Sequence, residues 1–217
     1  MLIHPWDGAI SETEWRDWLA AGHDFGQLAV NDPHNGAPHV IPTHFAVDGD
    51  TLLVHLARPN KVWPAIQARP TVVMSVVDDY AYIPTTWRAK AGGPDEDGVP
   101  TSDYTAVQLT CHAEIVDDPQ PKAELLRRQL AHFQPQGDHA HVGVDMSPYG
   151  RMLSGIRGLQ LHIASVAAKF KYDDHNPQQH RASVADRLES RGSGRDRSAA
   201  AQQRRRLKEI GEWKPRA

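Results

Sequence analysis

The feature that most constrains this chain is a series of short runs rich in β-branched and aromatic residues, separated by marked turns. The triplet Asp48-Gly49-Asp50, for example, predicts a tight hairpin between two of these runs. Because no helical pattern regularly separates consecutive runs, antiparallel pairing is favoured over a parallel sheet. We therefore predict a mainly β (α+β) fold, a closed or partly closed barrel with strands at 25–30, 40–47, 51–57, 71–77, 105–116 and 159–166.

Helices are predicted in the connections between strands. Ser11 and Glu14 have the spacing of a capping box, and Trp15, Trp18 and Leu19 follow at helical spacing. Further helices are predicted over 62–68, from 119 to about 133, over 148–153 and over 199–210.

Charge is distributed unevenly along the chain. The formal net charge is −3, yet residues 181–217 hold 11 Lys and Arg against 5 Asp and Glu. Such a basic tail can bind nucleic acid or fold back onto its own acidic body. Because the tail shows little apolar surface and no recognition-helix pattern, we favour a solvated or dimer-covering tail. The predicted division is a barrel domain over 1–188 and, over 189–217, a basic extension with a flexible linker at 191–198 and a helix.

The segment from His55 to Lys61 carries the clearest candidate site. Arg58, Asn60 and Lys61 follow a predicted strand and precede the predicted helix at 62–68. A guanidinium fork, an ammonium group and free helix amides together suit a phosphate group. A turn whose charges are simply solvated fits the same spacing equally well.

Three further clusters of polar and aromatic residues stand at predicted strand ends. They are Pro42-Thr43-His44, the stretch from Tyr82 to Trp87, and the stretch from Val99 to Tyr104. Each cluster taken alone is more typical of structure than of function. Lys169 and Lys171 lie two apart, so in a strand both face one side and repel each other unless an anion or solvent intervenes.

Composition narrows the remaining classes of function. With Cys111 as the one cysteine, a disulfide within the chain, a cysteine-based zinc site and an iron–sulfur cluster are excluded. The 13 histidines include no paired helical metal motif, so no metal site is predicted. The longest apolar stretches have the length of strands, and no basic-then-apolar leader is visible. We expect a cytoplasmic protein without a membrane segment.

These clusters, in this order, resemble the FMN-binding family typified by PaiB-type negative transcriptional regulators, within the pyridoxamine-phosphate-oxidase-like split barrels. The resemblance covers about residues 1–188. Its matching stretches are Thr43-His44, His55-x-Ala-Arg58-x-Asn60, Ala81-Tyr82-Ile-Pro-Thr-Thr-Trp87, Val99-Pro-Thr-x-x-Tyr104, and the strand from Gly158 that leads to Lys169-Phe-Lys171, with Asn176-Pro and Arg181-x-Ser-Val184 closing the pattern.

The resemblance implies an FMN-binding split β-barrel that forms a homodimer, with the flavin at the subunit interface. Arg58, Asn60 and Lys61 would hold the phosphate, and Lys169 and Lys171 would reach the phosphate or the flavin edge. The other residues that it assigns to the cofactor are Pro42, Thr43, His44, His55, Leu56, Ala57, Tyr82, Thr85 and Thr86. The implied activity is a flavin-dependent oxidation, oxygenation or reduction of a small molecule or an amino-acid-derived substrate.

The sequence departs from this family where Ser102-Asp103 stands in place of a Trp-Asn pair. We expect the loop 89–104, which contains this pair, to set substrate choice, with Asp103 and Tyr104 as catalytic candidates. A turn-capping Asp103 fits the sequence as well. The alternatives to a flavoenzyme are a flavin-sensing regulator that binds DNA through the basic tail, and a haem protein that uses His44, His55, His139 or His141.

Overall fold

A computed structural model describes residues 1–33, 36–89 and 93–214 of the chain. Its β-strands are β1 (Phe25–Val30), β2 (His39–His44), β3 (Ala46–Asp48), β4 (Thr51–Ala57), β5 (Thr71–Ile83), β6 (Thr101–Val116) and β7 (Ile156–Lys171). Its α-helices are α1 (Glu14–Ala20), α2 (Val62–Ala68), α3 (Thr85–Arg88), α4 (Pro119–Phe133), α5 (Tyr149–Met152), α6 (Gln178–Arg191) and α7 (Asp196–Ile210), with 3-10 turns at Asp95–Asp97 and Leu153–Gly155.

The strands of the described residues form one sheet in the order β2-β1-β5-β6-β7-β4-β3. The pairs β1–β2, β1–β5, β3–β4 and β4–β7 are antiparallel. This mixed α+β architecture confirms the predicted split-barrel fold class. Asp48 pairs with Thr51 across the predicted hairpin, and Gly49 takes the positive φ of 59° that such a two-residue turn requires.

The chain divides into two compact units, which we describe separately. The first contains the described parts of 1–18, 77–107 and 167–217, and the second contains 19–76 and 108–166. In the second unit, β1 alternates buried residues with more exposed ones, whereas β4 has three consecutive buried residues at 52–54; Leu28, Leu52 and Met74 have no exposed surface. Trp63 and Ile66 of α2 are buried as well.

Several predicted boundaries differ from the observed ones. The run at 40–47 is split into β2, which pairs with β1, and β3, which pairs with β4, and the fully buried Phe45 lies between them. The strands predicted at 71–77, 105–116 and 159–166 each extend further, so Tyr82 and Asp103 lie within strands. The connection predicted at 191–198 is shorter, since Arg191 ends α6 and α7 begins at Asp196; α6 itself was not predicted. No helix in 1–33, 36–89 or 93–214 is long and apolar enough to cross a membrane.

In the first unit, the basic tail folds back onto acidic residues of the same unit. Asp174, which has no exposed surface, is paired with Arg181 and, at 2.6 Å, with Arg206. Arg206 also donates to Glu14 at 2.9 Å and to the Gly8 carbonyl at 2.9 Å. This buried network anchors α6 and α7 to the N-terminal segment.

Replacing Arg206 by Met is expected to lower the free energy of unfolding by about 3–5 kcal/mol, because it leaves two buried carboxylates short of a partner. Arg204→Gln is the matched control, since Arg204 is exposed and pairs with the exposed residues Asp186 and Glu189. The control should cost less than about 1 kcal/mol. Urea unfolding measures both variants, and equal losses would contradict a special role for Arg206.

Candidate functional site

The guanidinium of Arg58, at the end of β4 in the second unit, is bound by the protein itself. It donates to both carboxylate oxygens of Asp117, at 3.0 and 2.5 Å, and its Nε donates to the Ser154 carbonyl at 2.7 Å. The hydrogen bond from Arg58 is the main reason that the pKa of Asp117 falls to about 2. Asp117 therefore stays ionised at any physiological pH.

Asp117 has two further cationic neighbours that sequence reasoning missed. Lys122 Nζ lies 3.4 Å from its carboxylate and Arg157 Nε lies 3.0 Å from it. One carboxylate thus faces three cations, which leaves excess positive charge at the end of β4. The sequence signal for Lys122 was its place in the first turn of α4, one turn after Asp117 and Asp118.

The other two predicted phosphate residues flank the start of α2. The Asn60 side chain accepts a hydrogen bond from the Val62 amide at 3.1 Å, so it caps the first turn. Lys61 is exposed at the helix N-cap. The loop therefore places Arg58, Asn60 and Lys61 at one end of the strand, with only the lysine fully presented to solvent.

A cavity of about 540 Å³ lies beside this end of β4, within the second unit. Its wall is mainly apolar, and His55 borders it from the strand. Ser154, whose carbonyl holds Arg58, is also a lining residue. The other lining residues are Leu126, Pro148, Tyr149, Arg151, Met152, Leu153, Gly155 and Ile156. Arg58, Lys122 and Arg157 around Asp117 form what we call the cationic cluster. The cavity adjoins this cluster through Ser154.

The other predicted residues of β4, at positions 55–57, point alternately outward and inward. His55 faces outward, with Nδ1 2.7 Å from the Gln129 side-chain oxygen, whereas Leu56 is buried. Ala57 is exposed, and its carbonyl accepts from the Trp63 indole at 3.1 Å. Gln129 in turn donates to the Leu53 carbonyl at 2.9 Å, which fixes its amide and hence the His55 ring.

Pro42, Thr43 and His44 form the end of β2. Pro42 and His44 are exposed, and Thr43 is half-buried. The His44 ring packs against Phe25 and Phe133, with ring centres 4.7 and 5.3 Å away. Of the other two histidines in the haem hypothesis, His139 is exposed with Nδ1 3.0 Å from the Ala140 carbonyl, and His141 is exposed.

In the first unit, Asp103 is a buried acid, 1% exposed. Neither of its carboxylate oxygens has a hydrogen-bond partner among the described residues. Burial raises the pKa of Asp103 to about 7, against the opposing charges of Lys171 and Arg88. Tyr104, the next residue, is half-buried, and Lys169 Nζ lies 5.8 Å from its ring centre. Asp103 can therefore hold or release a proton near neutral pH.

The two lysines of β7 have separate partners within the first unit. Lys169 Nζ lies 3.3 Å from the Asp7 carboxylate and donates to the Leu2 carbonyl at 3.0 Å. Lys171 Nζ donates to the Thr101 hydroxyl and the Ser102 carbonyl, each at 2.6 Å, and burial lowers its pKa. These contacts relieve the repulsion that the sequence spacing predicted.

Tyr82, Thr85 and Thr86 complete the predicted set. Tyr82 lies on β5 with 59% of its surface exposed. Thr85 is half-buried and Thr86 is exposed, both in α3. Lys90, within the loop that sequence analysis expects to set substrate choice, lies outside the described residues, as do Ala91 and Gly92.

The chain is similar to a known protein family and to a curated bacterial protein. The family model described as "Putative FMN-binding domain" matches residues 4–165. The Bacillus subtilis (strain 168) protein named "Protease synthase and sporulation protein PAI 2" is 22% identical over 172 residues, covering 77% of this chain and 80% of that protein.

Two solved structures share the fold. The FAD and heme binding protein from Mycobacterium smegmatis has a TM-score of 0.57 at 19% identity, with 75% of this chain and 72% of that chain covered. The flavocytochrome Anf3 from Azotobacter vinelandii has a TM-score of 0.56 at 19% identity, with 76% and 70% covered. At these identities the likeness concerns the fold alone.

Replacing Asp103 by Asn is expected to stabilise the protein increasingly as the pH rises from about 4 to about 7. Because folding raises the pKa of this carboxyl from 3.8 to about 7, the folded state binds more protons than the unfolded state in that window, and the free energy of unfolding falls as pH rises. The asparagine cannot ionise, so the variant's advantage over the native protein should grow by up to about 4 kcal/mol across the window.

Urea unfolding at pH 4.5 and pH 8 measures this difference. Asp145→Asn, at an exposed position, controls for the loss of one negative charge. A difference between Asp103→Asn and the native protein that is equal at both pH values would show that Asp103 ionises normally.

Proposed function

This chain belongs to the FMN-binding, PaiB-like family of split barrels, and we propose that it is a homodimeric flavin-dependent oxidoreductase that acts on a small molecule. FMN is the cofactor of the family.

The main support for the proposal is that the cavity lies next to the cationic cluster in the second unit. FMN has an apolar three-ring system at one end and an anionic phosphate at the other. A cavity of about 540 Å³ with mainly apolar walls suits the ring system, and three cations around one carboxylate suit the phosphate. The donor set of this chain therefore fits the group.

We assign the phosphate to Lys61, Asn60 and Arg58. Lys61 is exposed and has no competing ion pair among the described residues, so it can bind the phosphate at little cost. Arg58 can exchange part of its bond to Asp117 for a phosphate oxygen, because Lys122 and Arg157 still neutralise that carboxylate. His55 borders the ring end of the cavity, with its orientation fixed by Gln129.

The remaining assignments follow the family pattern. FMN supplies the hydride or electron transfer when it is bound. Asp103 would exchange the accompanying proton with the substrate, a role that suits a buried carboxyl with a pKa of about 7. Tyr104 would border the substrate. Lys169 and Lys171, together with the other residues assigned from the family pattern, remain predicted cofactor contacts.

A flavin-sensing, DNA-binding regulator is less well supported. Arg204 pairs with Asp186 and Glu189, while Arg205 and Arg206 both pair with Glu14. Because these guanidinium groups are neutralised within the chain, few of them can attract a nucleic-acid backbone. This pairing favours the enzyme over the regulator.

Lys61→Gln is expected to weaken FMN binding by a factor of about ten to one hundred, since one charge-assisted hydrogen bond to phosphate is lost. Riboflavin lacks the phosphate, so its affinity should not change. Fluorescence titration measures both ligands, with Lys208→Gln, an exposed lysine of α7, as the control. Equal weakening of FMN and riboflavin would contradict the phosphate assignment.

Protein as isolated should show the two broad near-ultraviolet and blue absorbance bands of flavin, bleached anaerobically by NADH or NADPH. A sharp Soret band would instead indicate haem and would overturn the proposal. Sedimentation equilibrium should give twice the chain mass of 24.1 kDa. A chain that stays at the single mass in the presence of FMN would contradict the homodimer.

A further inference from the structure

The cations of the cationic cluster differ in how far the protein already uses their hydrogen-bond donors. Lys122 Nζ donates to the carbonyls of Asp117 and Ile156, at 3.2 and 3.1 Å, and to the Asp117 carboxylate at 3.4 Å, so each of its protons has an acceptor. Arg58 directs its Nε at the Ser154 carbonyl and both of its Nη groups at Asp117. Either side chain can therefore turn to a ligand only by giving up part of a bond that it already makes.

Arg157, the remaining cation of the cluster, has donors that the folded chain leaves free. Its Nε lies 3.0 Å from the Asp117 carboxylate yet forms no hydrogen bond with it, and this buried nitrogen has no other partner within 1–33, 36–89 and 93–214. Its Nη groups likewise form no hydrogen bond with a described residue. Because a buried donor without an acceptor is costly, an acceptor supplied by a ligand would relieve that cost at Arg157.

Arg157 also stands beside the loop 58–61, which carries the other proposed phosphate residues. At the start of β7 it pairs across the sheet with Leu56 of β4. Its guanidinium carbon lies 5.5 Å from the ring centre of Trp63, within the range of cation–π attraction. The Trp63 indole in turn donates to the Ala57 carbonyl at 3.1 Å, which closes the loop 58–61. The ring that closes the loop therefore also holds the guanidinium of Arg157 next to it.

The charge of the cationic cluster indicates which class of anion fits it. Three cations surround the one carboxylate of Asp117, so the cluster has an excess of two positive charges. A phosphate monoester carries a charge of about −1.5 to −2 near neutral pH and offers its oxygens as strong acceptors. That charge balances the excess of the cluster, and the planar fork of an arginine can bind two of the oxygens at once. A phosphate monoester therefore suits the free donors of Arg157 in both charge and shape.

We propose that Arg157 binds the phosphate monoester of FMN, as a fourth residue beside those of the loop 58–61, through guanidinium donors that the folded chain leaves free. The inference rests on the proposed function and adds a residue to its site. The family resemblance does not assign Arg157, since its matching stretch on β7 starts at Gly158, one residue later. All the groups that the inference uses lie within the second unit.

Arg157→Gln tests the proposal by fluorescence titration of the full chain. FMN affinity should fall about ten- to one-hundredfold, because a charge-assisted hydrogen bond to phosphate is lost, whereas riboflavin affinity should not change. Arg157→Lys keeps the charge without the planar fork, and should lose less. Arg128→Gln is the matched control, because Arg128 is an exposed arginine of the same unit that pairs with Asp48. It should bind both ligands as the native protein does.

Chemical modification of the native protein provides a second measurement, which decides the matter even if Arg157→Gln does not fold. Phenylglyoxal modifies accessible guanidinium groups, and peptide mapping by mass spectrometry gives the rate at each arginine. Saturating FMN should slow the modification of Arg157 severalfold, and riboflavin should not. Arg128 serves as the internal reference, and its rate should respond to neither ligand.

The outcomes separate this proposal from the proposed function. If the native protein does not bind FMN, the proposed function is wrong, and inorganic phosphate becomes the probe: protection of Arg157 by phosphate supports the anion site, and no protection overturns it. If the native protein binds FMN, unchanged FMN affinity in folded Arg157→Gln overturns the role of Arg157 alone. Equal weakening of FMN and riboflavin, or equal protection by the two, also overturns it, because the effect would then not depend on the phosphate.

Discussion

The carboxylate of Asp117 joins the parts of the second unit that surround the proposed phosphate site. Arg58 reaches it from the end of β4, Lys122 from the first turn of α4, and Arg157 from the start of β7. Each partly exposed pair contributes little alone, but a shared carboxylate couples three elements to one point. Because the three cations outnumber the one carboxylate, this point is where we propose that the phosphate of FMN binds.

Much of the second unit could be predicted from the sequence, because its strands are short runs rich in apolar and β-branched residues bounded by marked turns. β1, β4, α2 and α4 lie where the pattern predicted them. The strand at 40–47 did not, since the chain changes its pairing partner there: β2 pairs with β1 and β3 pairs with β4, with the buried Phe45 between them. α6 escaped prediction because most of its exposed positions are charged, and only Val184, Ala185 and Leu188 form its apolar buried stripe.

The site was less predictable than the fold, for an electrostatic reason. A sequence shows which residues carry charge, but not which charges meet after folding. Arg58 was predicted to bind phosphate, yet the partner that it has in the structure, Asp117, lies 59 residues away along the chain. Asp103 shows the reverse case: a carboxylate on β6 suggests a solvated or paired group, and folding buries it without a hydrogen bond. Such an acid costs stability, and a proton-exchange role gives a reason for keeping it.

The basic tail shows how composition can suggest a function that pairing then weakens. An excess of arginine in 181–217 is compatible with a nucleic-acid arm or with self-neutralisation, and the two differ only in where the guanidinium groups point. Arg181, Arg191 and Arg206 point to buried carboxylates, and Arg191 and Arg187 also hold carbonyls of the segment 82–88. An arginine used in this way cannot be withdrawn to bind DNA without releasing a backbone segment or a buried acid. The tail is therefore better understood as a structural support of the first unit than as a nucleic-acid-binding surface.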